Sequence, residues 1–230
     1  MIIKVCGMRE ARNIHDVLET GADWIGLDFR PGSERYVSQI PSYSGIIPDY
    51  GSLSPFLSNG SLSPILSNGR CAQTKKYLLC GVFADDMPQN IVMRVVNYGL
   101  DIVQLDGEES SVMIDNLRRT LDPDIHAGIR IMKRIAVTCR EDMELYKDFA
   151  DSVDYFLFDL QAGMDDWTLL EAYRGDVPFF LGGAIGTKNT DRLKSFSHPR
   201  FYGIDLNEEF ETAPAFKDTT RLKAFLDKLR

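Results

Sequence analysis

A handful of polar residues in this chain are spaced as proton-transfer chemistry would require. Cys6 lies two residues beyond Lys4, so thiol and ammonium share one face of an extended segment. Gln104 and Asp106 share a face in the same way. Asp159 closes the apolar run Tyr155–Phe158, and Asp205 and Asn207 follow the run Phe201–Ile204. Gly182-Gly183-Ala184-Ile185-Gly186 reads as a Gly-rich turn ahead of a helix, a place where backbone N–H groups receive an anion. Each feature alone has a plainer reading. A strand-end cysteine is commonly a small buried hydrophobe, an aspartate there a cap, and glycines serve tight connections. Together they describe a proton-transfer pocket with a phosphate-type loop and no need of a metal or redox cofactor.

Such residues need a scaffold that brings distant strand ends together. Eight short β-rich runs recur: Ile2–Val5, Trp24–Leu27, Tyr77–Phe83, Ile102–Leu105, Ile129–Val137, Tyr155–Phe158, Phe179–Leu181 and Phe201–Ile204. Helix-period stretches lie between them, such as Ile14, Val17 and Leu18 before Gly21, and Ile91, Val92, Val95 and Val96 before Gly99. Leu222, Phe225, Leu226 and Leu229 give the last helix one apolar face. The alternation predicts an α/β fold, a single (β/α)8 barrel over residues 1–230, with chemistry at the C-terminal strand ends. An open doubly wound sheet is the structural alternative, with fewer strands as a rule. One connection departs from the pattern. Ser52–Gly60 (SLSPFLSNG) is repeated as Ser61–Gly69 (SLSPILSNG), so residues 43–75 read as a low-complexity insertion loop in place of or around the second helix: a mobile segment, a lid or a partner-docking loop.

Composition narrows the partners. Lys and Arg total 26 against 34 Asp and Glu, a net charge of −8 that disfavours nucleic acid. No apolar run reaches the roughly 18 residues of a membrane helix, and the N-terminus has no h-region, so a cytoplasmic protein without membrane contact is expected. The four cysteines (Cys6, Cys71, Cys80 and Cys139) lack CxxC spacing and the three histidines are far apart. Free thiols, and neither metal nor cofactor, are the expectation. No dimer stripe is evident, which leaves a monomer as the default.

The motifs Lys4-Val5-Cys6-Gly7-Met8, Gly81-Val82-Phe83, Val103-Gln104-Leu105-Asp106-Gly107 with Glu109, and Phe158-Asp159 resemble phosphoribosylanthranilate isomerase, a cofactor-free barrel enzyme of tryptophan biosynthesis. Ser33-Glu34-Arg35-Tyr36-Val37, Gly203-Ile204-Asp205, and the tail with Glu211–Pro214 and Lys217-Asp218 extend the likeness to nearly the whole chain outside the repeat. The resemblance implies an Amadori rearrangement of N-(5-phosphoribosyl)anthranilate to 1-(2-carboxyphenylamino)-1-deoxyribulose 5-phosphate. It implies Cys6 as general base, Asp159 as general acid and Arg35 as partner of the anthranilate carboxylate. Gln104 and Asp106 would contact substrate, with Gly182, Gly183, Ala184, Asp205 and Asn207 around the phosphate. Lys4, on the face of Cys6, is expected to draw the thiol down from its usual value of about 8.5.

The family pattern is also broken in places. Asp106 replaces a histidine, the Gly-rich run after the sixth strand is missing from Leu160–Trp167, Gly183-Ala184 replaces a Gly-Gly pair, and Asn207-Glu208 replaces a Ser-Ser pair. A Glu208 carboxylate about 5 Å from a phosphate would repel it by roughly 1–3 kcal/mol. These departures give weight to a second reading, a non-catalytic relative that binds a phosphorylated ligand or a protein partner.

Overall fold

The computed structural model describes residues 1–42, 45–48, 77–160 and 166–230; the tandem repeat and most of the segment after the sixth barrel strand lie outside the described residues. Eight parallel strands close into a barrel: β1 (Ile2–Met8), β2 (Trp24–Asp28), β3 (Leu78–Phe83), β4 (Ile102–Leu105), β5 (Arg130–Val137), β6 (Tyr155–Leu160), β7 (Phe179–Gly183) and β8 (Phe201–Leu206), with β8 pairing back onto β1. The expected barrel is therefore present. Several strands run further than their apolar runs, so Cys6, Asp159 and Asp205 sit within strands rather than beyond them.

Crossovers are helical where the sequence gives a face and a cap. They are α1 (Ala11–Glu19), α2 (Pro88–Tyr98), α3 (Ser111–Leu121), α4 (Thr190–Ser195) and α5 (Thr219–Leu229). Pro88 opens α2, and Gly99 closes it in the left-handed region at φ 59°. Ser110 and Asp218 cap α3 and α5 by accepting the N–H of Met113 and Arg221. After β5 and β6 the crossovers are 3-10 turns, Glu141–Asp148 and Trp167–Ala172, not the full helices that the alternation suggests. Two hairpins are added, Gln39–Ser42 with Gly45–Pro48 after β2, and Glu211–Ala213 with Phe216–Lys217 after β8.

The barrel interior is built in layers, because side chains two apart on a strand point the same way. Trp24, Cys80, Ile102, Met132, Tyr155, Leu157 and Phe180 form an apolar plug at its base. A larger apolar cluster fills the space between barrel and crossovers. One inward step above the plug the sequence turns polar: Lys4 follows Ile2, Gln104 follows Ile102, Arg134 follows Met132 and Asp159 follows Leu157. The plug thus supports a polar floor beneath the mouth.

Candidate functional site

A cavity of about 320 Å³ opens at the C-terminal ends of the strands. Cys6, Gln104, Asp106, Asp159, Gly182, Gly183, Ala184, Asp205 and Asn207 all line it, from five different strands or the loops after them. Arg30, Arg134, Glu208 and Glu209 share the lining, with Val82, Leu157 and Leu160 as apolar wall. Arg35 does not line it.

The floor is a buried charge cluster. Lys4 and Asp205 are register partners on β1 and β8, and Lys4 Nζ donates to Asp205 Oδ2 at 2.7 Å. It also donates to Gln104 Oε1 at 2.7 Å, and Gln104 Nε2 donates to Asp106 Oδ1 at 2.7 Å. Gln104 and Asp106 are therefore joined to each other beneath the cavity. Burial works against the Lys4 charge, yet Asp205 and the two neighbouring thiols outweigh it and hold its ammonium above the usual lysine range. Burial raises the Asp205 carboxyl, with Lys4 opposing. Asp205 Oδ1 is buried without a hydrogen-bond partner among the described residues.

Cys6 is buried beside this cluster, and Gly26 on β2 makes its room: a Cβ there would stand 2.7 Å from Cys6 Sγ. The expected thiolate is not what this environment favours. Burial pushes the Cys6 thiol up to about 11, and Asp205, Asp28 and Asp106 add to it, against the single lowering influence of Lys4. The expectation failed because burial outweighs Lys4, which is itself paired with Asp205. Among the described residues Cys6, Cys80 and Cys139 are free thiols; Cys71 lies outside them.

Asp159 stands on β6, across the mouth from β1. Arg134 on the neighbouring β5 donates to its Oδ2 through Nε at 2.6 Å, and Nη2 is ion-paired with the same oxygen at 2.5 Å. Sequence reasoning missed Arg134, although strand alternation from Met132 points it inward.

Arg35 packs over Gly7, beside Cys6, with its fork taken by a carboxylate. Its Nε and Nη2 donate to Glu211 Oε1 and Oε2 at 2.9 and 2.7 Å, a bidentate pair on the hairpin after β8. Lys217, buried on the same hairpin, donates to Glu211 Oε1 at 2.7 Å and to Asn207 Oδ1 at 2.9 Å. Burial raises the Glu211 carboxyl, but Arg35 and Lys217 outweigh it and hold it below the ordinary glutamate range. Asn207 is thereby tied to the hairpin. Glu208 leaves the cavity floor: its side chain is 75% exposed, with an oxygen 3.5 Å from Arg35 Nη2.

Arg30, directly after β2, stands at the rim of the cavity. Asp28, at the end of β2, accepts from Arg30 Nε at 2.9 Å and Nη2 at 2.7 Å, from the Arg30 backbone N–H at 3.0 Å and from Ser33 Oγ at 2.7 Å. Arg30 Nη1 reaches Asp106 Oδ2 at 2.9 Å. Burial raises Asp28, but these hydrogen bonds outweigh it and keep its carboxyl below the usual aspartate range. Burial raises Asp106 despite Gln104 and Arg30.

At the Gly-rich loop after β7, Gly183 adopts φ 108°, and a Cβ there would lie 2.3 Å from the Leu160 carbonyl oxygen. Only glycine fits. The loop does not run straight into a helix, as the sequence suggested. A 3-10 turn, Thr187–Asn189, intervenes, α4 begins at Thr190, and the Gly186 N–H is taken by Asn189 Oδ1 at 2.8 Å. Any anion here would rest on the loop's own N–H groups rather than on a helix dipole.

The closed barrel, with thiol, carboxylates and a Gly-rich loop at the C-terminal mouth, defines a (β/α)8-barrel of the type that carries chemistry on its strand ends. The family model of N-(5'phosphoribosyl)anthranilate (PRA) isomerase matches residues 57–228. The N-(5'-phosphoribosyl)anthranilate isomerase of Parabacteroides distasonis is 34% identical over 236 residues, covering 100% of this chain and 93% of its own. That of Phocaeicola vulgatus is 33% identical, covering 100% and 98%. A crystal structure of phosphoribosyl anthranilate isomerase in complex with reduced 1-(o-carboxyphenylamino)-1-deoxyribulose 5-phosphate superposes with a TM-score of 0.72 at 22% identity, covering 100% of this chain and 98% of that one. The chain belongs to the phosphoribosylanthranilate isomerase family.

Proposed function

We propose that this chain is a working phosphoribosylanthranilate isomerase of tryptophan biosynthesis, with Cys6 as general base and Asp159 as general acid. One observation carries the assignment of roles: thiol and carboxyl line the same cavity from β1 and β6, with the anion loop of β7 on its rim. Asp159 protonates the furanose ring oxygen. The C1′–O bond breaks, the nitrogen lone pair forms the C=N bond, and an iminium results. Cys6 then removes the C2′ proton, and the C–H electrons form the C1′=C2′ bond as the C=N pair returns to nitrogen. The enolamine tautomerises to the ketone. The iminium acidifies C2′–H and sets a positive charge next to the thiol, which offsets the burial that raises Cys6.

The Gly182–Ala184 backbone and Asn207 hold the phosphate in this reading. Gln104, Asp106 and Asp205 contribute by fixing Lys4 and Arg30 around the reacting carbons. Arg35 would reach a substrate carboxylate only after leaving Glu211. Residues 43–75 are an insertion within the single barrel domain on the same reading.

Complementation of a tryptophan auxotroph lacking this isomerase, together with turnover by the purified protein, tests the assignment. Growth that depends on both Cys6 and Asp159 supports it. A stable, well-expressed protein that neither rescues growth nor turns over the aminoaldose would overturn it in favour of a binding role.

A further inference from the structure

We propose that Asp205 is a further catalytic residue: its Oδ1 takes the C2′ hydroxyl proton as the enolamine becomes the ketone, so that this last step is completed on the protein. The proposal deepens the functional reading above and rests on it.

Asp205 lines the cavity from β8, and its two carboxylate oxygens stand in different situations. Oδ2 accepts from Lys4 Nζ at 2.7 Å. Oδ1 is buried without a hydrogen-bond partner, the one side-chain oxygen or nitrogen so placed among the described residues. The neighbouring carboxylates differ. Asp106 accepts from Gln104 on Oδ1 and from Arg30 on Oδ2, and both oxygens of Asp28 accept from Arg30. A buried acceptor is costly to leave unpaired, and in a residue that lines a cavity it is matched by the O–H of a ligand.

Strand register brings this carboxylate to the reacting carbon. Lys4 and Asp205 are register partners, and Cys6 is the next residue on the Lys4 face of β1. Thiol and carboxylate thus line the cavity from adjacent strands. For Cys6 to remove the C2′ proton, C2′ must lie against the thiol, which carries its hydroxyl to the seam between β1 and β8. Burial raises the Asp205 carboxyl, with Lys4 opposing, so it accepts a proton more readily than an aspartate in water.

The step balances on these two residues. Oδ1 takes the hydroxyl proton, the O–H pair forms the C2′=O bond, and the C1′=C2′ pair moves to C1′. There it takes the proton held by Cys6, which leaves thiolate and ketone. On product release the Asp205 proton passes to solvent, and Asp159 regains the one it gave to the ring oxygen.

Turnover in deuterated water tests this. The two C1′ hydrogens of the ketone are distinct by proton NMR, because C3′ and C4′ are chiral. An enolamine that ketonises free in solution takes deuterium on either face and labels both positions about equally. On the protein, Cys6 delivers to one face, so the label is one-sided, or absent where the thiol returns the original proton. Wild type should favour one position by at least about tenfold, or carry no label, since positioned proton transfer adds roughly 10²–10⁴ over the uncatalysed step. Asp205→Asn still offers Lys4 an acceptor but cannot take a proton, and its two positions should be labelled within about twofold of each other. The readout is the place of the label, so a slower variant is still informative. Lys4→Met combined with Asp205→Asn removes both buried charges, should also give an even label, and serves where the single variant does not fold. An even label from active wild type, or a one-sided label from either folded variant, would overturn the proposal and leave the isomerase reading intact. If wild type turns over no aminoaldose, the functional reading fails, and this inference with it.

Discussion

Arg134 meets a single oxygen of Asp159: Nε donates to Oδ2 at 2.6 Å, and Nη2 is ion-paired with it at 2.5 Å. The other oxygen, Oδ1, is turned toward β7, 3.4 Å from where a Cβ on Gly182 would stand. The pairing fixes the carboxyl's rotamer and distinguishes its two oxygens. On the proposed reading Asp159 carries the proton to the substrate.

Asp159→Asn should therefore lower kcat by roughly 10²–10⁴, the usual share of a general acid. Arg134→Met should cost less, on the order of 10–100-fold, because it removes orientation and leaves the acid. Steady-state kinetics of both variants check this. Near-normal kcat in Asp159→Asn would remove Asp159 from the mechanism.

Cys6→Ser should likewise lose roughly 10²–10⁴ in kcat. With the free-enzyme thiol pushed up to about 11, thiolate is scarce at neutral pH and its share grows about tenfold per pH unit below that value. Alkylation of Cys6 by iodoacetamide, followed by mass spectrometry, should be slow at pH 7 and accelerate with that slope. Rapid, pH-independent labelling at neutral pH would contradict the burial argument.

Asp28 links stability to pH. Its carboxyl is held below the usual value of about 3.9, so the native state favours the charged form. The resulting stabilisation is complete above the unfolded value and is lost as pH falls through the lower folded one. Asp28→Asn should be less stable than wild type by about 1–3 kcal/mol near pH 7, with the gap closing below about pH 4. Urea unfolding at several pH values measures it. A gap that does not change with pH would mean that shape, not charge, holds Arg30.

Glu208→Ser should tighten a phosphate-bearing ligand only modestly, by about two- to fivefold at low salt, since the carboxylate is largely in water beside Arg35. The gain should fade as salt screens it. Equal affinities at low salt would show that Glu208 does not sense the phosphate at all.

The amino-acid sequence by itself determined the barrel and most of its mouth. Eight apolar runs and their alternating crossovers carry the fold, because burial period is a local property of the chain. The same alternation places Cys6, Gln104 and Asp159 inward. What the sequence left open is which charge meets which. Lys4 is spaced to activate Cys6, but the register of β1 with β8 gives it to Asp205, 201 residues away in the chain, and the thiol stays high. Arg35 carries the family motif, yet the hairpin after β8 brings Glu211 to its fork, while Arg30, without a motif, is aimed over the cavity by Asp28. Ion-pair partners depend on distances across the barrel, and electrostatic shifts follow from the sum of those distances and burial. Neither is written in local spacing, so only the tertiary structure decides them.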